Sequence, residues 1–151
     1  MTRCLIICFF LFACKSKQDE GFKKVDGGLQ YKAIGGREGG LVQPGQFLKL
    51  HVKQFYNDSL LSDTDSLLPQ YQQLDSTQLS KQSYSIFSKV RVGDSLVFRL
   101  PSDSAFKTKR PAFAKKDGWL STYVKIDAIF SSDVEAQADL EMEKVKRKPK
   151  L

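Results

Sequence analysis

Val92-Gly93-Asp94-Ser95-Leu96-Val97-Phe98-Arg99-Leu100-Pro101, continued by Ser102-Asp103-Ser104-Ala105-Phe106, is the stretch on which the fold turns. Leu96, Phe98 and Leu100 alternate with Val97 and Arg99, and Pro101 ends the run, so it reads as a strand. On its N-terminal side, Leu79, Ser83, Ile86, Phe87 and Val90 recur at helical spacing. Asp75 or Ser76 is available as the N-cap and Gly93 lies just past the end, which predicts one short helix. On the C-terminal side, Ser102 to Gly118 reads as a loop longer than most ordered connections, the kind of segment that often carries a binding surface. Beyond it, Leu120, Thr122, Val124, Ile126 and Ala128 alternate with Ser121, Tyr123, Lys125 and Asp127, so the closing strand shows the first set on one face.

Further toward the N-terminus, Leu29, Tyr31 and Ala33 alternate with Gln30, Lys32 and Ile34, and Gly35-Gly36, Gly39-Gly40 and Pro44-Gly45 punctuate the loop that follows. Phe47 to Phe55 is a second alternating run, with Leu48, Leu50 and Val52 on one side and Lys49, His51 and Lys53 on the other. Asn57-Asp58-Ser59 is a turn, and Leu60 to Ser66 carries the chain back. At the far end, Ser132-Asp133-Val134-Glu135 has capping-box spacing. A terminal helix should run through Ala136, Leu140 and Val145, stop at Pro149, and pack only in part on the domain. Strand, strand, strand, helix, strand, strand predicts an α+β fold. It is an antiparallel curved sheet wrapped around one short helix, with a C-terminal helix added.

The opening residues carry a different message. Arg3 precedes an unbroken apolar run, Cys4 to Phe12, and the small residue Ala13, the pattern of a secretion signal. The run is too short to span a bilayer, and Lys15-Ser16-Lys17-Gln18-Asp19-Glu20 follows it. Leu11-Phe12-Ala13-Cys14 resembles the bacterial lipobox, in which cleavage falls just before a cysteine that carries lipid. The expected organisation is a lipoprotein signal over 1–13, a flexible tether over 14–26, a folded domain over 27–131, and a helix with a basic tail over 132–151. Such a chain is lipid-anchored in the cell envelope, on the periplasmic face or the cell surface. All three cysteines, Cys4, Cys8 and Cys14, lie in the opening segment, so the mature domain has neither disulfide nor thiol chemistry.

The whole chain of 151 residues has a formal net charge of +7. No nucleic-acid recognition motif accompanies that charge, and an exported protein meets anionic lipid and glycan instead. The excess in Lys144, Lys146, Arg147, Lys148 and Lys150 suits either a solvated tail or contact with an acidic envelope surface. No metal or other cofactor is expected. His51 has no second histidine or cysteine near it, and Asp63 and Asp65 lack the calcium-loop pattern.

Several short phrases, taken in order, resemble the FKBP family of peptidyl-prolyl cis-trans isomerases over about residues 28 to 130. They are Gly28-Leu29-Gln30-Tyr31, Pro44-Gly45 before the strand holding His51, Val92-Gly93-Asp94, the run Leu100 to Phe106, and the closing strand Leu120 to Ile129. The resemblance implies rotation about X-Pro amides of exported proteins in an apolar, aromatic pocket. That barrier is about 20 kcal/mol, and lowering it needs differential binding of the twisted amide and no covalent step. It places Asp63 beside the pocket and Phe106 where a tyrosine hydroxyl normally donates to substrate. Val52, Ser62 and Thr122 stand where the family has aromatic walls, Tyr84 could replace its indole floor, Tyr71 another wall, and Phe113 a lip. Three readings follow: a weakly active isomerase, a non-catalytic peptide-binding module on the same fold, or a structural envelope subunit docking through its terminal helix.

Overall fold

The computed structural model describes residues 21–35 and 39–147; the expected signal over 1–13, the expected anchor Cys14, and Lys148, Pro149 and Lys150 lie outside that range. In chain order the elements are β1 (Lys23–Lys24), β2 (Gln30–Ile34), β3 (Phe47–Tyr56), β4 (Ser59–Asp63), β5 (Gln70–Gln73), α1 (Lys81–Phe87), β6 (Ser95–Pro101), α2 (Ser102–Phe106), β7 (Trp119–Phe130) and α3 (Asp133–Lys146). All the pairings are antiparallel, in the order β1-β2-β6-β7-β3-β4, with β5 also on β3. β4 and β5 share one edge of β3, the first along Lys53 to Tyr56 and the second along Phe47 to Leu50. They are one returning strand interrupted by residues 64–69.

The period-two patterning of β3 explains the layering. Leu48, Leu50 and Val52 are buried on the face that meets α1, where they join Leu74, Ile86, Val90, Leu96, Val124 and Ile126 in one core. Gly93 lets the chain turn from α1 into β6. Its φ of +88° lies in the left-handed region that side chains disfavour. Its N–H donates to the Ile126 carbonyl at 2.8 Å, and Ile126 N–H donates to Asp94 at 2.8 Å, so the turn is bonded to β7. The Asp94 carboxylate accepts from Arg91 N at 2.9 Å and closes the turn.

The opposite face of β3 presents Lys49, and α3 lies over it. This lysine is only 6% exposed. Its ammonium sits 2.7 Å from Asp139 and 3.0 Å from Glu143, with Asp127 4.0 Å away. The Tyr71 hydroxyl also donates to Asp139, and its ring lies 6.2 Å from that of Phe130. Burial works against the Lys49 charge, but the hydrogen bonds to Asp139 and Glu143 outweigh it and leave its pKa raised. Burial likewise pushes Asp139 upward, and hydrogen bonds from Lys49 and Tyr71 outweigh that, leaving its carboxyl below its usual range. Hydrogen bonds from Lys49 and then Lys146 hold the Glu143 carboxyl down at about 2. The helix itself begins on Ser132, whose hydroxyl accepts from Glu135 N at 3.3 Å. The Glu135 side chain reaches back to Ser131 N at 2.8 Å, one residue beyond the position a capping box uses.

Five expectations are corrected. Strand pairing begins at Lys23, before the expected boundary at 27, because Phe22 stacks under the Arg99 guanidinium 3.9 Å from its ring centroid. The cap of α1 is Ser80, whose hydroxyl accepts from Ser83 N at 3.1 Å, whereas Asp75 binds Thr77 in a local turn. β5 is a strand with no apolar alternation, since Gln-Tyr-Gln-Gln is placed by β3 and not by its own pattern. The opening of the long loop folds as α2. Finally, the β3 to β7 register shifts between Lys49 and Leu50, so Ala128 pairs with Lys49 while Ile126 pairs with Leu50, and Ile129 takes over packing on the core.

Replacing Lys49 by methionine should therefore destabilise the protein by on the order of 2 kcal/mol, because it leaves Asp139 and Glu143 facing each other half-desolvated. Glu143 and Asp139 bind their protons more weakly when folded. The Glu143 contribution is thus complete above about pH 4.5 and disappears as the pH falls toward about 2, and that of Asp139 is lost in the same direction as its carboxyl takes up a proton. Thermal unfolding of the wild type followed from pH 6 to pH 2 should show that loss, and Lys49→Met should flatten it; parallel pH profiles would contradict the assignment.

Candidate functional site

Between the inner face of the sheet and α1 lies an open groove of about 450 Å³. That is the size of a small-ligand or short-peptide site. Leu50, Val52 and Val124 from the central strands, Phe98 from β6, Phe87 from α1 and Leu29 form its apolar floor. Gln54, Ser62, Thr64, Gln70, Gln72, Ser83 and Thr122 form the remainder. The two sets arise from one geometry. Inner-facing positions alternate along each strand, and toward the open end of β3 and β7 they change from Leu50 and Ile126 through Val52 and Val124 to Gln54 and Thr122.

The interruption between β4 and β5 builds one wall. Thr64 is buried, its N–H donates to the Val52 carbonyl at 2.9 Å, and its hydroxyl oxygen accepts from Val52 N at 2.7 Å. Both main-chain groups of Val52 are thus satisfied where the strand pairing breaks. Asp63 starts the excursion by accepting from Asp65 N at 2.8 Å, and Ser66 donates to its carbonyl at 3.0 Å. On the outer face, the Lys53 ammonium lies 3.2 Å from Asp63 and 2.6 Å from Asp65. Its hydrogen bond holds the Asp65 carboxyl below the usual range. His51 Nδ1 sits 3.0 Å from Asp65, at ion-pairing distance without hydrogen-bonding alignment. Among the described residues, no group of three His, Cys, Asp or Glu side chains could hold a metal ion.

A separate aromatic cluster ties down residues 102–118. Tyr56, at the end of β3, packs its ring 6.3 Å from Phe106 and 5.6 Å from Phe113, and those two lie 6.3 Å apart. The Tyr56 hydroxyl donates to the Lys115 carbonyl at 3.1 Å and accepts from Lys115 N. Gly118 crosses directly over this phenol, where any Cβ would overlap the Tyr56 ring and hydroxyl. Arg110 and Asp103 form an ion pair across the same segment. Phe113 remains 54% exposed.

The structure distributes the residues singled out from sequence among five places. Val52, Ser62 and Thr122 line the groove together. Asp63 is outside the lining and paired with Lys53, because the strand alternation that turns Ser62 inward turns Asp63 outward. Tyr71 is likewise outward, bonded to Asp139 under α3. Tyr84 packs against the core and is absent from the lining. Phe106 and Phe113 belong to the Tyr56 cluster. Sequence reading missed Gln54, Thr64, Gln70 and Gln72 as groove residues. The alternation through Gln54 was available as a signal, whereas the inward turn of Gln70 and Gln72 depends on a strand that only tertiary pairing defines.

No protein-family model matches the chain, and no curated protein matches it by sequence. Among solved structures it is similar to FkpA from Escherichia coli, with a TM-score of 0.53 and 14% identity over 75% of this chain and 53% of that one. The chain thus spans about half the length of FkpA. A peptidyl-prolyl cis-trans isomerase from Pseudomonas syringae pv. tomato superposes with a TM-score of 0.49 and 16% identity, over 74% of this chain and 82% of that one. The likeness to FkpA establishes the fold: an FKBP-like α+β domain with a C-terminal helix.

Tyr56→Phe removes the two hydrogen bonds with Lys115 and the one its hydroxyl accepts from Ser102 at 3.4 Å, while keeping the ring contacts. It should cost about 1–2 kcal/mol, chiefly by leaving Lys115 N and O to find other partners. Limited proteolysis should cut within residues 107–117 faster than in wild type, and unchanged cleavage would contradict the loop-holding role.

Proposed function

We propose that this protein is a lipid-anchored, FKBP-type peptidyl-prolyl isomerase-like protein of the cell envelope that binds proline-containing segments of exported proteins. The observation that carries the reading is the open groove, set at the concave meeting of sheet and helix and floored by Leu50, Val52, Phe87, Phe98 and Val124. An apolar floor shelters a proline ring from water, and a poorly solvated amide twists more easily than a hydrated one. Catalysis of this kind asks for shape and a few donors, and Gln54, Gln70, Ser83 and Thr122 supply donors at the rim.

Turnover is slow on this reading, because neither tyrosine nor tryptophan lines the groove among the described residues. A second reading, binding without isomerisation, is favoured by the pairing of Asp63 with Lys53 and by the hydroxyl-free ring of Phe106 packed on Tyr56. The anchor is Cys14, which follows Leu11-Phe12-Ala13. Two or more acyl chains would hold the protein at a membrane surface, since each buried methylene contributes roughly 0.8 kcal/mol.

Purified full-length protein in a protease-coupled assay on Ala-Pro peptides should accelerate isomerisation, and Ser83→Trp, which fills the groove, should abolish the effect. Thr122→Phe should raise the rate several-fold, on the order of 1 kcal/mol of added transition-state contact. Peptide binding without acceleration would select the second reading, and absence of both would remove the proposal. For the anchor, the intact mass of membrane-extracted protein should show acyl chains that Cys14→Ala eliminates; an unacylated mature protein would contradict it.

A further inference from the structure

The chain is rich in charge, with 27% Asp, Glu, Lys and Arg. None of the thirteen described residues lining the groove is charged. Seven are polar and neutral, and three of those are glutamines: Gln54 from β3, and Gln70 and Gln72 from β5. Their hydrogen-bonding capacity is largely unspent. The main chain of Gln70 pairs with β3 opposite Leu50, while its side chain makes no hydrogen bond to another described residue. Gln72 donates to the Gln73 carbonyl at 3.0 Å, and Gln54 accepts from Ser62 only at 3.5 Å. Each carboxamide offers two donors and an acceptor with two lone pairs, and it can turn over to suit either need. Nearby charges are neutralised on the other face, where Lys53 pairs with Asp63 and Asp65.

Such a lining discriminates by what it lacks. A lysine or glutamate side chain entering the groove would lose hydration and find no counter-ion, which costs far more than the loss of an amide's or hydroxyl's hydration. A main-chain amide, or a glutamine, asparagine, serine or threonine side chain, exchanges water for a matching carboxamide and loses little. We infer that the groove selects uncharged polypeptide segments whose proline is preceded by an amide- or hydroxyl-bearing residue, with Gln54, Gln70 and Gln72 as the specificity-determining side chains. This deepens the reading of the groove as a proline-peptide site and rests on it.

The test is calorimetric titration of the full-length protein with acetylated Ala-Xaa-Pro-Ala-Ala amides in which Xaa is Gln, Ser, Phe, Lys or Glu. Gln and Ser peptides should bind about tenfold more tightly than Lys and Glu peptides. The double variant Gln70→Glu with Gln72→Glu, both at the open rim, should bring the Lys peptide level with or above the Gln peptide and weaken the Glu peptide further. Equal binding of all five peptides, a preference for Phe, or a ranking unmoved by the double variant would overturn the selectivity while leaving the groove a peptide site. Failure of every peptide to bind would overturn the peptide-site reading and this inference together.

Discussion

Pairing of β3 with β7, unbroken from Phe47 opposite Phe130 to Tyr56 opposite Leu120 apart from one shift of register, is the constraint on which the rest depends. One strand serves both faces of the molecule. Leu48, Leu50, Val52 and Gln54 point toward α1 and define the core and the groove, while Lys49, His51 and Lys53 point away and organise the ions of the outer face. A slip of one residue would exchange these two sets, burying lysine in the core and exposing leucine. The register is fixed from three directions: the apolar core on one side, the carboxylates of α3 on the other, and Thr64 closing on Val52 at the edge.

Lys49 ties α3 to the sheet by ion pairing more than by apolar packing. Of the helix residues, only Ala136 is fully buried, and Val134, Met142 and Val145 are exposed. A buried lysine is costly unless it is well paired, and here two carboxylates hold it, one of them shared with Tyr71. Such an arrangement specifies position more than it adds stability, since an off-register helix would leave the ammonium unpaired. The same reasoning explains why Tyr71 lies outside the groove: its hydroxyl completes the outer network.

The elements of the sheet were legible wherever burial on one face forced a period of two, as in β2, β3, β6 and β7. They were not legible where tertiary pairing alone decides, as in β5, whose inward residues are glutamines. The helix over Lys81–Phe87 announced itself through Ile86, Phe87 and Val90, but its cap did not, because Asp75, Ser76 and Ser80 are all good cap residues and only the chain path chooses among them. At the groove, the inward face of Val52 and Thr122 was legible from alternation, but all three of Val52, Ser62 and Thr122 were assigned to the pocket by the resemblance, and Ser62 reaches the lining through its pairing opposite Gln54. Asp63, Tyr71, Phe106 and Phe113 were assigned by resemblance to a pattern this chain does not keep, and the structure spends them on an ion pair, an outer network and an aromatic clamp. The fold survives these changes because it depends on alternation and turn chemistry, whereas a pocket depends on individual side chains.

The central claim is that peptide occupies the inner face of the sheet. It is tested most directly by mapping amide resonances of the full-length protein during titration with an uncharged proline peptide. The account predicts saturable shifts at Val52, Gln54, Thr64, Gln70, Ser83 and Thr122, with Lys53, Phe55 and Tyr123 on the outer face unmoved. Shifts confined to the outer face, or to the exposed side of α3 around Met142, would contradict it.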